Sequence, residues 1–415
     1  MHYGLMYTNN YFITEGAMEQ GVRKEQNKFI LVIVLGLLAA FGPLSLDMYL
    51  PALPSVADEL HTTASNAQLS LTACMIGLAV GQIFVGPLSD IIGRKKPLAV
   101  VLLVYALSSL LAATSTSIGM LVLFRFIQGF SGGAGAVLSR AISSDLYKGK
   151  DLTKFMAVLM LVNGLAPILA PVIGGIILSV STWQTVFIIL SIYGALMFFL
   201  SFTLKESLPK SARNEGALKS IVNDFKKLLT NKQFVTVLML QALTYGILFS
   251  YISGSPFITQ KIYHMNAQQF SYLFAFNGVG LIIFSQITAK LVDKMSEVNI
   301  LKLGQTIQLV GMIATSIVLI LHLPMWCLWI SFFLLITPVS MIGTTGFSIA
   351  MQVQKQGAGS ASSILGLMQF LVGGLLSPLV GLMGETSVVP FIVIIAICSL
   401  LAQFIRIKFL KDITL

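Results

Sequence analysis

Twelve apolar stretches of about twenty residues follow one another along this sequence and constrain its fold more than any other feature. A helix that crosses a bilayer needs about twenty mostly apolar residues. Only 10% of the 415 residues are charged, too few to give a soluble fold of this length a wettable surface. The chain is therefore predicted to be an all-α membrane protein. We predict spans at 29–50, 67–88, 97–114, 118–142, 155–178, 183–204, 234–257, 270–291, 300–321, 326–350, 360–383 and 388–410.

The basic residues predict the orientation of these spans. Nearly all of them lie in alternate gaps, whereas the opposite gaps hold only Lys261, and the first opposite gap carries Asp58 and Glu59. Because Lys and Arg are retained on the cytoplasmic side, both termini are predicted to be cytoplasmic. The formal charge of +10 is typical of bacterial inner-membrane proteins. A nucleic-acid partner is not expected, since the bases are confined to short gaps between apolar runs.

The longest gap, 205–233, divides the chain into two halves of six spans each. We predict a cytoplasmic tail over 1–28, helical bundles over 29–204 and 234–410, and a short cytoplasmic tail over 411–415. The KSIVNDFKKLL segment of the central gap fits a basic amphipathic helix on the membrane surface, and it fits a solvated linker equally well.

Two ionisable residues lie deep in apolar spans, Asp47 in the first and Arg125 in the fourth. Charges at this depth generally face a bundle interior or a water-filled cavity and mark proton or ion pathways. Asp47 has a second interpretation, hydration at the outer interface, because Pro51 and Pro54 are typical of a helix end. Arg125 also fits an anchor that donates hydrogen bonds to neighbouring carbonyls, and its two roles are compatible.

A lone carboxyl in a low-dielectric cavity exchanges its proton nearer to neutral pH than one in water does. We therefore expect Asp47 and Arg125 to couple protons to transport, with the guanidinium approaching the carboxylate in only one conformation.

Polar residues at helical spacing predict a wet central cavity. Apolar walls that carry a few polar groups suit an amphipathic ligand, although hydrogen bonding between helices explains any single Gln or Thr equally well. The candidate cavity residues are Tyr49 in the first span, Gln128 and Ser131 in the fourth, Gln241, Tyr245 and Phe249 in the seventh, and Thr337, Thr344 and Thr345 in the tenth.

The gap between the second and third spans reads GPLSDIIGRKK, residues 86–96. It resembles the loop signature G-x-L-a-D-r-x-G-r-k of the major facilitator superfamily. The residues that match are Gly86, Leu88, Asp90, Gly93, Arg94 and Lys95. In the fourth span, Arg125, Gln128 and Gly129 match the R-x-x-Q-G motif of the same family.

The fifth span narrows the resemblance to drug antiporters. Its segment GLAPILAPVIGGIIL is similar to their Gly/Pro-rich motif at Gly164, Pro167, Pro171, Gly174 and Gly175. On physical grounds this segment fits a pore-lining hinge and a close-packing face equally well. DMYLPALP in the first span and RAISSDLY at 140–147 resemble the bicyclomycin-resistance (Bcr/CflA-type) branch of twelve-helix drug:proton antiporters.

The resemblance implies two six-helix bundles that rock around a central cavity. It also implies that the loop carrying Asp90 and Arg94 latches the cytoplasmic side in the outward-open state, with Asp145 as a partner for Arg94. The loop after the eighth span retains an acid, Asp293, but has Ser296 in place of the glycine and lacks the basic run.

The function predicted from these features is proton-coupled export of amphipathic small molecules by a monomer without a cofactor or metal ion. No phosphate-binding G-x-x-x-x-G-K-[ST] loop is present in the sequence, so ATP is not the expected energy source. A dedicated exporter of one metabolite and a proton symporter that imports a nutrient remain alternatives. An intramembrane enzyme, a receptor and a channel are disfavoured, since paired catalytic groups, a soluble output domain and a ring of charges are not evident.

Overall fold

The computed structural model describes residues 28–147, 149–213, 226, 228–353 and 358–409, and this part of the chain contains helices and no strand. Eleven of its helices are long and apolar enough to cross a membrane. A twelfth helix, Gly149–Val180, is apolar over Leu165–Val180. These twelve are called spans one to twelve below. Most of the KSIVNDFKKLL segment lies outside the described residues.

Spans one to six form the first half. Span one begins with the helix Lys28–Asp47 and continues through a 3₁₀ turn, Leu50–Ala52, into Leu53–Glu59. The next five are Ala64–Ile92, Lys95–Ala113, Ile118–Leu146, Gly149–Val180 and Trp183–Ser201. Span one therefore does not end near Pro51 as the sequence suggested. Proline is tolerated in the first turn of a helix because the N–H it lacks has no partner there, and the chain remains helical to Glu59.

Spans seven to twelve form the second half. Their helices are Lys232–Phe257 with a π turn over Ile258–Ile262, Ala267–Leu291, Glu297–Ile320, Met325–Ile336 with Pro338–Val353, Ala358–Leu376 with a 3₁₀ turn over Ser377–Gly381, and Val389–Phe409. Local polar caps set several helix starts. Thr63 and Ser117 each accept a backbone N–H three residues on, and Asn266 and Gln269 form a capping box.

The two ends of the helical bundle are named by residues that lie on them. The Arg94 face carries the turn between spans two and three, and the Asp58 face carries the turn between spans one and two. Within the first half, spans two and four approach closely, because Gly77, Gly81, Gly129 and Gly133 place backbone against backbone. Small residues permit such contact between membrane helices.

The two halves meet along spans two and eleven and along spans five and eight. Polar contacts between the halves are concentrated toward the Asp58 face. Ser65 Oγ donates to the Pro378 carbonyl at 2.7 Å, and Thr72 Oγ1 donates to the Gly374 carbonyl at 2.9 Å. In the part of the chain that the structure describes, span four makes no extensive contact with span ten or eleven. The interface between the halves is therefore closed at the Asp58 end.

Candidate functional site

Asp47 lies near the middle of the first span, which runs over Ile33–Glu59 in its apolar part. Its side chain is buried, with 6% of the residue exposed. Asp47 is therefore not hydrated at the outer membrane surface, which was the second interpretation of its sequence position. Among the described residues, the Asp47 carboxyl forms no hydrogen bond and no ion pair. The structure thus holds a buried carboxyl with no partner.

Arg125 hydrogen-bonds to span one at Ser45, two residues before Asp47, and does not pair with the Asp47 carboxyl. Its guanidinium is fully buried, and Nη1 donates to the Ser45 carbonyl at 2.7 Å and to Gln128 Oε1 at 2.6 Å. The cation also lies over two rings, 4.9 Å from the centroid of Tyr49 and 5.5 Å from that of Phe187. Its Nε and Nη2 groups have no hydrogen-bond partner. Arg125 therefore anchors a carbonyl two residues from Asp47 and keeps unused donors.

A hydrogen-bond network extends from Arg125 to span three. Gln128 is fully buried, and its Nε2 donates to Ser109 Oγ at 2.8 Å. Ser45 Oγ lies 2.7 Å from the Tyr105 hydroxyl. Ser131, one turn beyond Gln128, is buried and its hydroxyl has no partner. In this structure Gln128 and Ser131 lie inside the first half between helices and do not face an open cavity.

The glycine pair of span five brings two other helices to this region. A Cβ atom at Gly174 would lie 2.1 Å from the Met48 carbonyl oxygen, directly beside Asp47. A Cβ atom at Gly175 would lie 2.4 Å from Ser271 Oγ of span eight, in the other half. Span five therefore uses these glycines as a close-packing face. Pro167 and Pro171 lie within the same helix, and the side-chain surroundings of position 164 lie outside the described residues.

The remaining candidate cavity residues differ in how accessible they are. Tyr49 is fully buried, 3.0 Å from Ser70 Oγ. Gln241 is buried and donates to the Gly343 carbonyl at 2.9 Å, which ties span seven to span ten. Tyr245 is half-buried and Thr344 is exposed. Thr337, Thr345 and Phe249 are buried. Spans seven and ten thus present Tyr245 and Thr344 to accessible space.

Arg94 connects the turn between spans two and three to the end of span four. The buried guanidinium donates to Asp145 Oδ2 at 3.0 Å and to Ser89 Oγ at 2.6 Å, and it lies 2.6 Å from Asp90 Oδ1. Burial lowers the pKa of Arg94, but hydrogen bonds and charge from Asp145 and Asp90 outweigh burial, so that the pKa lies above its ordinary value. All of these contacts are within the first half.

Glu206, which sequence reasoning missed, holds this turn from the other side. Its carboxylate accepts the backbone N–H groups of Arg94 at 2.8 Å and Lys95 at 3.2 Å, where span three begins. A carboxylate at a helix N-terminus is favourable because the first N–H groups have no partner in the helix. Gly93 has φ +99°, and a Cβ there would lie 2.6 Å from Glu206 Oε2. Nothing in the local sequence separates Glu206 from other loop acids.

A second missed cluster lies on the Asp58 face. Lys261 Nζ lies 2.7 Å from Asp58 Oδ1 and 3.0 Å from Glu385 Oε2. Nearby, Gln260 Nε2 donates to the Pro51 carbonyl at 3.1 Å. Asp58 belongs to the first half and the other two charges to the second, so this cluster joins the halves. The sequence signal for this cluster is Lys261, the one base in the gaps on this side of the membrane, the first of which carries Asp58 and Glu59.

A family model described as Major Facilitator Superfamily matches residues 35–378. The chain belongs to this superfamily. It is a multi-pass membrane transporter and not an enzyme. Its twelve apolar helices in two halves are the fold of the superfamily.

Named relatives in the superfamily cover most of the chain. "Uncharacterized MFS-type transporter YdgK" of Bacillus subtilis (strain 168) is 41% identical over 88% of this chain and 91% of its own length. "Bicyclomycin resistance protein homolog" of Haemophilus influenzae is 30% identical over 92% of this chain and 96% of its own length. "Multidrug resistance protein MdtL" of Shewanella sp. (strain ANA-3) is 27% identical over 88% and 93%.

Solved structures show the same fold. The crystal structure of a D-xylose-proton symporter aligns with a TM-score of 0.75 and 18% identity, covering 94% of this chain and all of that one. At this identity the likeness concerns the fold alone.

The superfamily's loop signature is complete in the first half only. In the corresponding turn of the second half, Asp293 is exposed and has no ion pair among the described residues. Ser296 replaces the glycine and serves instead as an N-cap, accepting the backbone N–H of Asn299 at 3.4 Å. The second turn therefore makes a local helix start without an ionic latch.

Proposed function

We propose that this transporter exports amphipathic small molecules, antibiotics among them, in exchange for protons. Support comes from the superfamily, from relatives named for bicyclomycin and multidrug resistance, and above all from Asp47. In this proposal the protein acts as a monomer in the bacterial inner membrane without a cofactor. The Arg94 face and both termini are cytoplasmic, following the distribution of basic residues.

The observation that carries the proposal is the unpartnered, buried carboxyl of Asp47. An ionised carboxylate in a low-dielectric interior costs several kcal/mol unless a counter-charge or hydrogen bonds compensate for it. The conformer described here supplies neither, so it suits the protonated form. Arg125 keeps two unused donors, Nε and Nη2, in the same interior. A shift of span one against span four that brings these donors to Asp47 would suit the ionised form.

Protonation of Asp47 is thereby linked to conformation. The closed Asp58 end makes the conformer described here inward-facing in the proposed orientation. Proton release from Asp47 toward the cytoplasm would favour its pairing with Arg125 and movement of the first half. In the outward-facing state, protonation from outside would break the pair and return the protein to the conformer described here.

The driving force is adequate for useful efflux. One elementary charge crossing 100 mV corresponds to about 2.3 kcal/mol, and about 1.4 kcal/mol corresponds to a tenfold concentration ratio. One net inward charge per cycle therefore supports a gradient of about fifty-fold, and a pH difference adds to it. A single carboxyl that carries one proton per cycle can therefore supply enough free energy for efflux.

Tyr245 and Thr344 are the proposed contacts for the cargo. They lie on spans seven and ten, half-buried and exposed respectively, with apolar neighbours such as Phe249. A hydroxyl and an aromatic ring against apolar walls suit an amphipathic molecule with one or two polar groups.

Transport by purified protein in liposomes tests the proton coupling. Wild type should accumulate a fluorescent amphipathic cation only while a pH gradient is imposed, and cargo movement should be accompanied by counter-movement of protons. Asp47→Asn should lose proton-dependent accumulation because the amide does not titrate. Asp293→Asn is the matched control, since this carboxylate is exposed and unpaired, and it should transport as wild type does. Undiminished gradient-driven transport by Asp47→Asn would overturn the proposal.

A susceptibility panel in an efflux-deficient bacterial host tests the cargo. Expression of wild type should raise resistance to several structurally unrelated amphipathic antibiotics, and Asp47→Asn should abolish the increase. A single metabolite that accumulates in the medium, with no change in resistance, would favour a dedicated exporter.

A further inference from the structure

A basic groove lies on the flank of the second half, between spans nine and twelve at the Arg94 face. Its volume is about 570 Å³. The residues that line it are Asn299, Lys302, Leu303, Thr306, Arg406 and Ile407. None of them belongs to the region around Asp47 or to the signature loop, and the transport mechanism proposed above does not use the groove.

Arg406 is held in place in this groove by hydrogen bonds to span nine. Its Nη1 donates to the Lys302 carbonyl at 3.0 Å and to Thr306 Oγ1 at 2.8 Å. The remaining donors, Nε and Nη2, have no partner among the described residues. A guanidinium that is fixed on one edge and free on the other is prepared to bind a phosphate with little further loss of side-chain freedom.

Among the described residues, no acid pairs with the basic side chains of the groove. In the described part of the chain, no carboxylate lies within 4.0 Å of Lys302 or Arg406. Glu297, at the start of the same helix as Lys302, instead accepts hydrogen bonds from Ser348 and Gln352 of span ten. The groove therefore presents two cations together with the Thr306 hydroxyl and the Asn299 amide.

The walls of the groove are apolar and exposed. Leu303 is 37% exposed and Ile407 is 62% exposed, and the exposed apolar surface continues away from the Arg94 face along both helices. The residues of this continuation are Val310, Ile313 and Ile317 on span nine and Ile397, Leu400 and Phe404 on span twelve. A basic pocket that opens onto an apolar helix flank matches the two parts of a lipid.

We infer that this groove binds the phosphate of an anionic phospholipid, whose acyl chains lie along the exposed flank of spans nine and twelve. A free phosphate ion offers the same anionic oxygens, but it has no apolar part to contact the walls formed by Leu303 and Ile407. The inference requires the Arg94 face to lie at a membrane surface and does not depend on proton coupling through Asp47.

Native mass spectrometry of the full-length protein in a neutral detergent tests the site, with phosphatidylglycerol as the probe. Wild type should bind a first molecule saturably and more tightly than phosphatidylcholine. Lys302→Gln should weaken this binding about fivefold, since one basic residue near a membrane surface contributes about 1 kcal/mol. Arg406→Lys keeps the positive charge but loses the paired N–H donors of the guanidinium, and it should also weaken binding. Monodisperse elution and unchanged circular dichroism would show that each variant is folded.

Lys294→Gln is the matched control, because Lys294 is an exposed base on the same face that forms no ion pair with any described residue. It should bind phosphatidylglycerol as wild type does. Equal weakening by Lys294→Gln, or equal affinity for phosphatidylcholine, would overturn the site in favour of diffuse surface attraction. Displacement of the lipid by inorganic phosphate at comparable concentration would overturn the lipid as the occupant. Transport by Asp47→Asn is a separate readout, so failure of one proposal does not imply failure of the other.

Discussion

The interiors of the two halves differ in the kind of polar group that they bury. The first half buries charges, Asp47 and Arg125, within a hydrogen-bond network. The second half buries neutral amides: Asn277 donates to the Tyr251 hydroxyl at 2.7 Å, and Gln305 is buried with both amide atoms unpaired. Since a neutral amide does not titrate near physiological pH, the difference favours the first half as the location of the proposed proton coupling.

The turns on the Arg94 face differ in the same way. Arg94 binds two carboxylates and Glu206 caps the helix that follows, whereas the Asp293 turn has a local cap and no latch. At this face the first half therefore has ion pairs, whereas the described residues of the second-half turn have the Ser296 cap and the hydrogen bonds that Glu297 accepts from Ser348 and Gln352. Paired substitutions in the two halves test this contrast.

The largest difference is expected between Arg125→Met and Gln305→Leu. Arg125→Met removes the buried cation proposed to pair with Asp47, together with its hydrogen bonds to Ser45 and Gln128, so gradient-driven transport in liposomes should fall to background. Gln305→Leu replaces an unpaired buried amide by an apolar side chain and should leave transport near wild type, because removing an unsatisfied buried polar group is neutral or stabilising. Loss of transport in both variants, with both folded, would contradict the assignment to the first half.

The second difference concerns the ion pairs of Arg94. Arg94→Gln breaks contacts with Asp90, which is 39% exposed, and Asp145, which is 15% exposed. Partly exposed pairs contribute about 1 kcal/mol each, so the initial transport rate should fall about five- to thirty-fold. Asp293→Asn, in the second half, should keep the wild-type rate. Equal rates for wild type and Arg94→Gln would show that these contacts do not control turnover.

The third difference is one of stability. Gly93→Ala forces a side chain into positive φ and toward Glu206, and should reduce the free energy of unfolding by about 1–2 kcal/mol. Ser296→Gly, at the matching turn, should cost only a few tenths of a kcal/mol, since glycine is accepted at an N-cap. Thermal unfolding in detergent measures both. A larger loss of unfolding free energy for Ser296→Gly than for Gly93→Ala would contradict this prediction.

The smallest effect is expected where the halves touch at the Asp58 face. Lys261 lies between Asp58 and Glu385, and these partly exposed pairs contribute up to about 1 kcal/mol each. Lys261→Gln should shift the population modestly toward the state open at this face. With the native Cys74, Cys327 and Cys398 replaced by alanine, the thiol of Ser65→Cys should react a few-fold faster with a membrane-impermeant reagent in this background. Lys290→Gln, an exposed base at the opposite face, should leave the labelling rate unchanged, and equal acceleration by both would contradict the role of Lys261.

Some of the site was predictable from local sequence and some was not. Asp47 and Arg125 stand out because an ionisable residue within an apolar run is costly whatever its neighbours. Their separation was not predictable, because a carbonyl of span one, at Ser45, takes the guanidinium instead of the carboxylate. The hydrogen bond from Gln128 to Ser109 was not predictable either. Helical spacing places a residue on one face of its helix, but it does not say which neighbouring helix covers that face.

The sequence by itself determined that the chain spans the membrane, the number of its helices, the family and the two charges buried in the first half. Hydrophobicity, spacing and motif chemistry are properties of single segments, so they can be read without coordinates. Only the tertiary structure decided that Asp47 is unpartnered, that Glu206 caps the signature turn, that Lys261 joins the halves and that Lys302 meets Arg406. Each of these depends on residues far apart in the chain, which meet only when the helices pack.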